Sequence, residues 1–96
     1  MKTYKSIISN FITENDIRCV PDQRGNVWFN LEDVVKSLKL NMNNIIDKIT
    51  IISYTICDED MLFISRKTIG FLITQSETKY AKEMFTSSGY KFKWYK

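Results

Sequence analysis

The chain is 96 residues long, with 44% hydrophobic and 26% charged residues and a net charge of +3, which fits one domain around one core and excludes a linker-like or low-complexity chain. There is no His, which removes the commonest general base, the Ser–His and Cys–His dyads and most catalytic zinc sites. No apolar run approaches the roughly 18 residues of a membrane span, and Ser, Asn and Thr interrupt the stretch after the basic Met1–Lys5 start, so no signal peptide and an intracellular location are expected.

Ile7, Ile8, Phe11 and Ile12 fit a helical stripe over 5–12, with a short strand as the alternative. Ile17–Val20 is rich in β-branched residues and predicts a strand. Pro21–Asn26 supplies a turn, and Val27–Phe29 returns as the second arm of a hairpin. Trp28 and Phe29 close that hairpin just before a helix and are read as core. Asn30 is the expected N-cap of a helix over 31–39, with Glu32 and Asp33 complementing its dipole. A second short helix is predicted over 43–49, with Ile45, Ile46 and Ile49 inward. Residues 50–57 read as a strand, Asp58–Asp60 as a solvated acidic turn, and Met61–Ile64 as a returning arm or a lead into the next helix.

Ser65 is the expected cap of a helix over 66–74, and Ser76 of another running to about Ser87. Gly89 stands where a helix end favours a left-handed residue. Residues 90–96 alternate aromatic side chains with Lys through Trp94, which predicts a strand or extended arm. The pattern is that of a small single-domain α+β protein over 1–96: short antiparallel hairpins packed with about four short helices. Cys19 and Cys57 stand 38 positions apart, too far for a CxxC pair, and are read as buried free thiols.

Ile17-Arg18-Cys19-Val20, then Gly25, Trp28-Phe29, Asp33-Val34 and Leu38, resemble the opening of the Bro N-terminal (Bro-N) domain family. That family carries an I-R-V strand, a turn with Gly, and then W-F-x-x-x-D-V-A-x-x-L-G-Y. Phe63-Ile64-Ser65, Leu72-Ile73, Ser76 and Ala81-Lys82 are similar to its later F-I-S-E-x-G-L-Y-x-L-I-x-x-S and A-K-x-F blocks. Together the blocks span about residues 11–86. The chain departs from the pattern at Val35, Lys39, Leu40, Arg66, Thr68 and Gly70, where the family has Ala, Gly, Tyr, Glu, Gly and Tyr. The resemblance implies a divergent member of viral or phage origin, working inside the infected host cell in nucleic-acid binding and regulation.

The residues themselves offer two nucleic-acid surfaces. Residues 31–49 match a helix-turn-helix template, in which Val35, Leu38, Leu40 and Ile45 pack the helices together. Asn43, Asn44 and Lys48 would then face a groove, where Asn suits adenine and Lys suits phosphate or guanine, although Asp47 repels phosphate. The alternative is a plain helical hairpin packed on the sheet. The second surface rests on charge. Residues 1–60 hold seven Lys/Arg against nine Asp/Glu, whereas residues 61–96 hold seven against two. Arg66, Lys67, Lys79, Lys82, Lys91, Lys93 and Lys96 therefore form a candidate phosphate-binding face, with Trp94 and its aromatic neighbours able to stack on unpaired bases.

No P-loop, dinucleotide fingerprint, nucleophile elbow or calcium loop is present in the sequence, so a non-enzymatic domain with no cofactor and no metal is expected. The expected partner is DNA, duplex or single-stranded. A homodimer would add a second half-site. The rival expectation is a protein-binding inhibitor, an antirepressor or anti-defence factor, docking on a host protein through the same aromatic and cationic residues.

Overall fold

The structure is a computed structural model and describes residues 3–86. Helix α1 (Tyr4–Glu14) leads into strands β1 (Cys19–Pro21) and β2 (Val27–Asn30), then helices α2 (Leu31–Leu38) and α3 (Met42–Ile45). A 3-10 turn over Ile46–Lys48 follows, then β3 (Ile52–Ile56), β4 (Glu59–Ser65), α4 (Arg66–Thr74) and α5 (Lys79–Thr86). The fold is α+β: one four-stranded antiparallel sheet, in the order β1-β2-β4-β3, together with the helices.

The helices start where side chains satisfy their first amides. Thr3 and Ser6 form a reciprocal capping box on α1, which settles residues 5–12 as helix rather than strand. Asn30 Oδ1 accepts the Asp33 N–H at 2.9 Å and Ser65 Oγ accepts the Thr68 N–H at 3.2 Å, so both expected caps are in place. Ser76 differs from its expected role. Its hydroxyl donates to the Ile73 carbonyl at 2.7 Å and closes α4, and α5 begins only at Lys79.

Helices α2 and α4 pack on the sheet, and α1 and α5 pack on α4 and on each other. Phe29 and Ile64 enter the core from the sheet, where they meet Ile8, Leu31, Val34, Ile69 and Leu72. Side chains alternate between the faces of a strand, so Trp28 and Phe63 point the other way. Phe63 is buried there with its ring 5.7 Å from that of Tyr54.

Asp33 joins the first hairpin to α2. Its Oδ2 accepts from the Arg18 backbone N–H at 3.0 Å and from Nε at 2.9 Å, while Oδ1 accepts from Nη2 at 2.9 Å. These hydrogen bonds hold the Asp33 carboxyl below the usual carboxylate range, with the Arg18 side chain as the leading cause. The stabilisation is therefore present above an unfolded value of about pH 4, and it is lost as pH falls through the lower folded value. Asp33→Asn is expected to cost about 1 kcal/mol at pH 7, kept modest because the Arg18 side chain is largely in solvent. Urea melts should show the gap from the native chain closing as pH falls below 4; a gap that stays constant would contradict this role.

The second hairpin is tighter than the acidic run suggests. Its loop is Cys57-Asp58 alone, both in the left-handed region at φ 51° and 64°. A two-residue loop with positive φ at both positions is the type I′ turn that favours Asn-Gly. Glu59 and Asp60 thereby fall within β4 rather than in a turn, and Asp60 Oδ1 accepts from Thr55 Oγ1 at 2.6 Å. Replacing Cys57-Asp58 by Asn-Gly is expected to add about 1 kcal/mol by relieving left-handed strain. That corresponds to a melting-temperature rise of roughly 4–8 °C; no rise would show that the turn carries no strain.

Both cysteines are exposed rather than buried. Cys19 lies on the edge strand β1, paired with Phe29, and Cys57 is in the two-residue turn. No helix among the described residues is long and apolar enough to cross a membrane.

Candidate nucleic-acid interface

The amino end of α4 is the centre of the candidate site. β4 delivers Ser65 there, and the strand pairing Trp28↔Ser65 sets β2 beside it. Two grooves meet at this point. One, of about 470 Å³, is lined by Asn26, Val27, Trp28, Phe29, Ser65, Arg66 and Lys67. The other, of about 330 Å³, is lined by Lys48, Ile49, Thr50, Ser65, Lys67, Thr68 and Phe71. Lys67 borders both. Neither groove has a carboxylate among the described residues that line it.

Lys48 and Lys67 are exposed, and neither forms an ion pair among the described residues. They are 19 positions apart, and the β3–β4 hairpin brings them together by returning the chain to the 3-10 turn. Helix α4 leaves its first amides without intrahelical acceptors and turns its positive dipole end to the same place. Trp28 is half-buried, and its Nε1–H donates to Asp22 Oδ2 at 3.0 Å. The Asp22 carboxylate also accepts the Arg24 and Asn26 amides, at 2.8 and 2.9 Å, which fixes the loop beneath the indole. The indole hydrogen bond is the leading cause that holds the Asp22 carboxyl below its ordinary range.

The other cations predicted for the site are placed less favourably. Arg66 Nη2 donates to the Lys5 carbonyl at 2.7 Å and to Ser9 Oγ at 2.6 Å, so the guanidinium holds α4 to α1. Lys79 lies on α5, 3.3 Å from Glu14 Oε1 and 5.2 Å from the Tyr80 ring centroid. The Tyr80 hydroxyl donates to the same Glu14 carboxylate and accepts from Asn15 Nδ2 at 3.1 Å. Burial, and then this bond to Glu14, push the Tyr80 phenol above its ordinary value. Lys82 shares a groove with Glu77. Among the described residues, the cations of the last third therefore do not form one face: Lys79 lies beside the Glu14 carboxylate, Lys82 borders a groove with Glu77, and α4 presents Lys67 beside Lys48. Lys91, Lys93, Lys96 and Trp94 lie outside the described residues.

The predicted second helix is also different. In place of residues 43–49, the helix is the single turn Met42–Ile45, capped by Asn41, and a 3-10 turn completes the segment. The Asn41 side chain accepts the Asn43 N–H and starts the helix early, and the tighter 3-10 winding ends it. Asn43 and Asn44 are exposed, but one α-turn is a shorter element than the recognition helix of the template. Asn44 borders a groove with Gln75 and Thr78, away from Lys67.

Trp28 is the residue that the core reading missed. Period-two alternation through Val27-Trp28-Phe29 was the available signal, because Phe29 on the core face puts Trp28 on the other. A separate groove of about 590 Å³ is lined by Glu32, Glu59 and Asp60 together with Arg18, whose charge Asp33 already offsets. That groove repels polyanions. Among the described residues, no group of three or more His, Cys, Asp and Glu is arranged to hold a metal ion. Compared with protein-family models, with curated proteins and with solved structures, the chain finds no match.

Proposed function

We propose that this chain is a non-enzymatic DNA-binding regulatory domain of viral or phage origin, of the Bro-N kind that its sequence resembles, acting in the infected host cell. One observation carries the reading: Lys48, Lys67 and the amino end of α4 border one groove that no carboxylate lines among the described residues. Phosphate suits that combination of two ammonium groups and a helix end. Trp28, in the adjoining groove, offers an aromatic surface beside Lys67 on which an unpaired base can stack.

The test is a fluorescence-anisotropy titration with random duplex and single-stranded DNA at two salt concentrations. Binding that weakens as salt rises is expected, because each neutralised phosphate releases a counterion. Absence of binding at low salt overturns the reading. A second reading is a protein-binding inhibitor of a host factor, favoured by Val27, which is 44% exposed in the groove that holds Trp28. It predicts that DNA fails to bind and that Trp28→Ala abolishes association with the host protein.

A further inference from the structure

We propose that two copies of this chain pair through β3, edge to edge and antiparallel about a two-fold axis at Tyr54, to form a closed dimer. The inference goes beyond the DNA-binding reading and does not depend on it.

The sheet has two edges of different character. β1 is three residues long and ends in Pro21, which cannot donate to a further strand. β3 is Ile52-Ser53-Tyr54-Thr55-Ile56, with no Pro and no charge, and β4 is the one strand hydrogen-bonded to it among the described residues. Protein sheets normally blunt such an edge with a charge, a Pro or a bulge; β3 has none of these.

The hydrogen-bond parity of β3 selects the partner. A two-residue loop closes on a hydrogen-bonded pair, here Ile56↔Glu59, and the pairs alternate from there. Ile52, Tyr54 and Ile56 therefore exchange bonds with β4. Ser53 and Thr55 turn their N–H and C=O groups outward. A two-fold axis at Tyr54 sets Ser53 of one copy against Thr55 of the other, twice, so all four outward N–H groups find carbonyls. An isologous contact requires a self-complementary surface, and this strand reads almost alike in both directions about Tyr54. Ile52 meets Ile56, Ser53 meets Thr55, and Tyr54 meets its own copy.

Charge agrees with this pairing. Position 58 at the acidic tip falls opposite position 50 of the other copy, where the next charge along the chain is Lys48, so the tip meets no carboxylate there. The resulting sheet has β1 at both ends. Each end is short and stopped by Pro21, so assembly closes at two copies.

Sedimentation velocity on the full chain over a concentration series is expected to show the mass moving from one chain to two. Thr55→Pro removes an N–H that faces outward and leaves the ladder to β4 intact; it is expected to raise the dimer Kd by more than about tenfold with an unchanged circular-dichroism spectrum. Ser53→Lys with Thr55→Lys sets like charges against each other across the axis and should do the same. In a Cys19→Ser, Cys57→Ser background, Tyr54→Cys should give a disulfide-linked dimer on mild oxidation, because the Tyr54 pair is a close, non-hydrogen-bonded one. A native chain that stays single at every concentration overturns the proposal. So does a dimer that both edge variants leave unchanged, or a Tyr54→Cys chain that does not cross-link.

Discussion

Gly70→Leu is expected to destabilise the domain by about 3 kcal/mol, at the upper end of what overpacking a filled interior costs. A Cβ built at Gly70 would lie 2.0 Å from Tyr4 Oη, 2.7 Å from its Cζ and 3.1 Å from Ile8 Cδ1. Gly70 is buried in α4 where α1 crosses it, so a leucine there must push α1 outward. Displacing α1 also strains the Arg66 bonds to Lys5 and Ser9 and the Tyr80 contacts with Glu14 and Asn15, which fasten the outer helices. For a domain of this size the melting temperature should fall by roughly 12–24 °C. Gly70→Ala is a different case. Its methyl group meets the far end of a side chain that can turn aside, and α4 gains about 1 kcal/mol of helix propensity, so the net change should be small. Adding Tyr4→Ala to Gly70→Leu should recover part of the loss, a coupling that two independent sites would not show. A melting temperature unchanged by Gly70→Leu would mean that α1 does not hold this position in solution.

Position 70 also marks how far the sequence could be read. The Bro-N pattern has Tyr there and this chain has Gly, and the space beside Gly70 is occupied by the Tyr4 phenol from another helix. No local signal announces that exchange. By contrast, α4 follows its predicted span because everything that defines it is local: Ser65 caps it, and Ile69, Leu72 and Ile73 give its inner face. Asn30 and the acidic first turn defined α2 in the same way. Elements closed by a neighbouring cap were legible, whereas contacts across the fold were not.

The candidate site belongs to the second kind. The count of cations in residues 61–96 suggested one face, but a count does not include distance. Arg66 is engaged by a carbonyl and a hydroxyl 61 and 57 positions away, and Lys79 by a carboxylate from α1. Lys48, from the acidic half of the chain, is the residue that joins Lys67. Cys57 misled for a related reason: a thiol is apolar enough for a core, but a two-residue loop puts its side chain in solvent.

The arrangement separates the lysines experimentally. Lys48→Ala with Lys67→Ala is expected to lower affinity for random duplex DNA by roughly 10–100-fold at low salt and to reduce the salt slope by about 2, one unit for each lost phosphate contact. Both side chains are exposed and form no ion pair among the described residues, so folding should not change. Lys79→Ala with Lys82→Ala removes the same formal charge from α5, yet one of those ammonium groups already faces Glu14 and the other shares its groove with Glu77. Their loss should change affinity by less than about threefold, since an ammonium beside a carboxylate contributes little net field to a phosphate. Net charge is identical in the two double variants, so any difference between them reports location. If both pairs weaken binding equally, DNA responds to overall charge and the groove at α4 is not its site. If the α5 pair dominates, the contact lies on the outer helices, and the groove at α4 serves something other than a phosphate backbone.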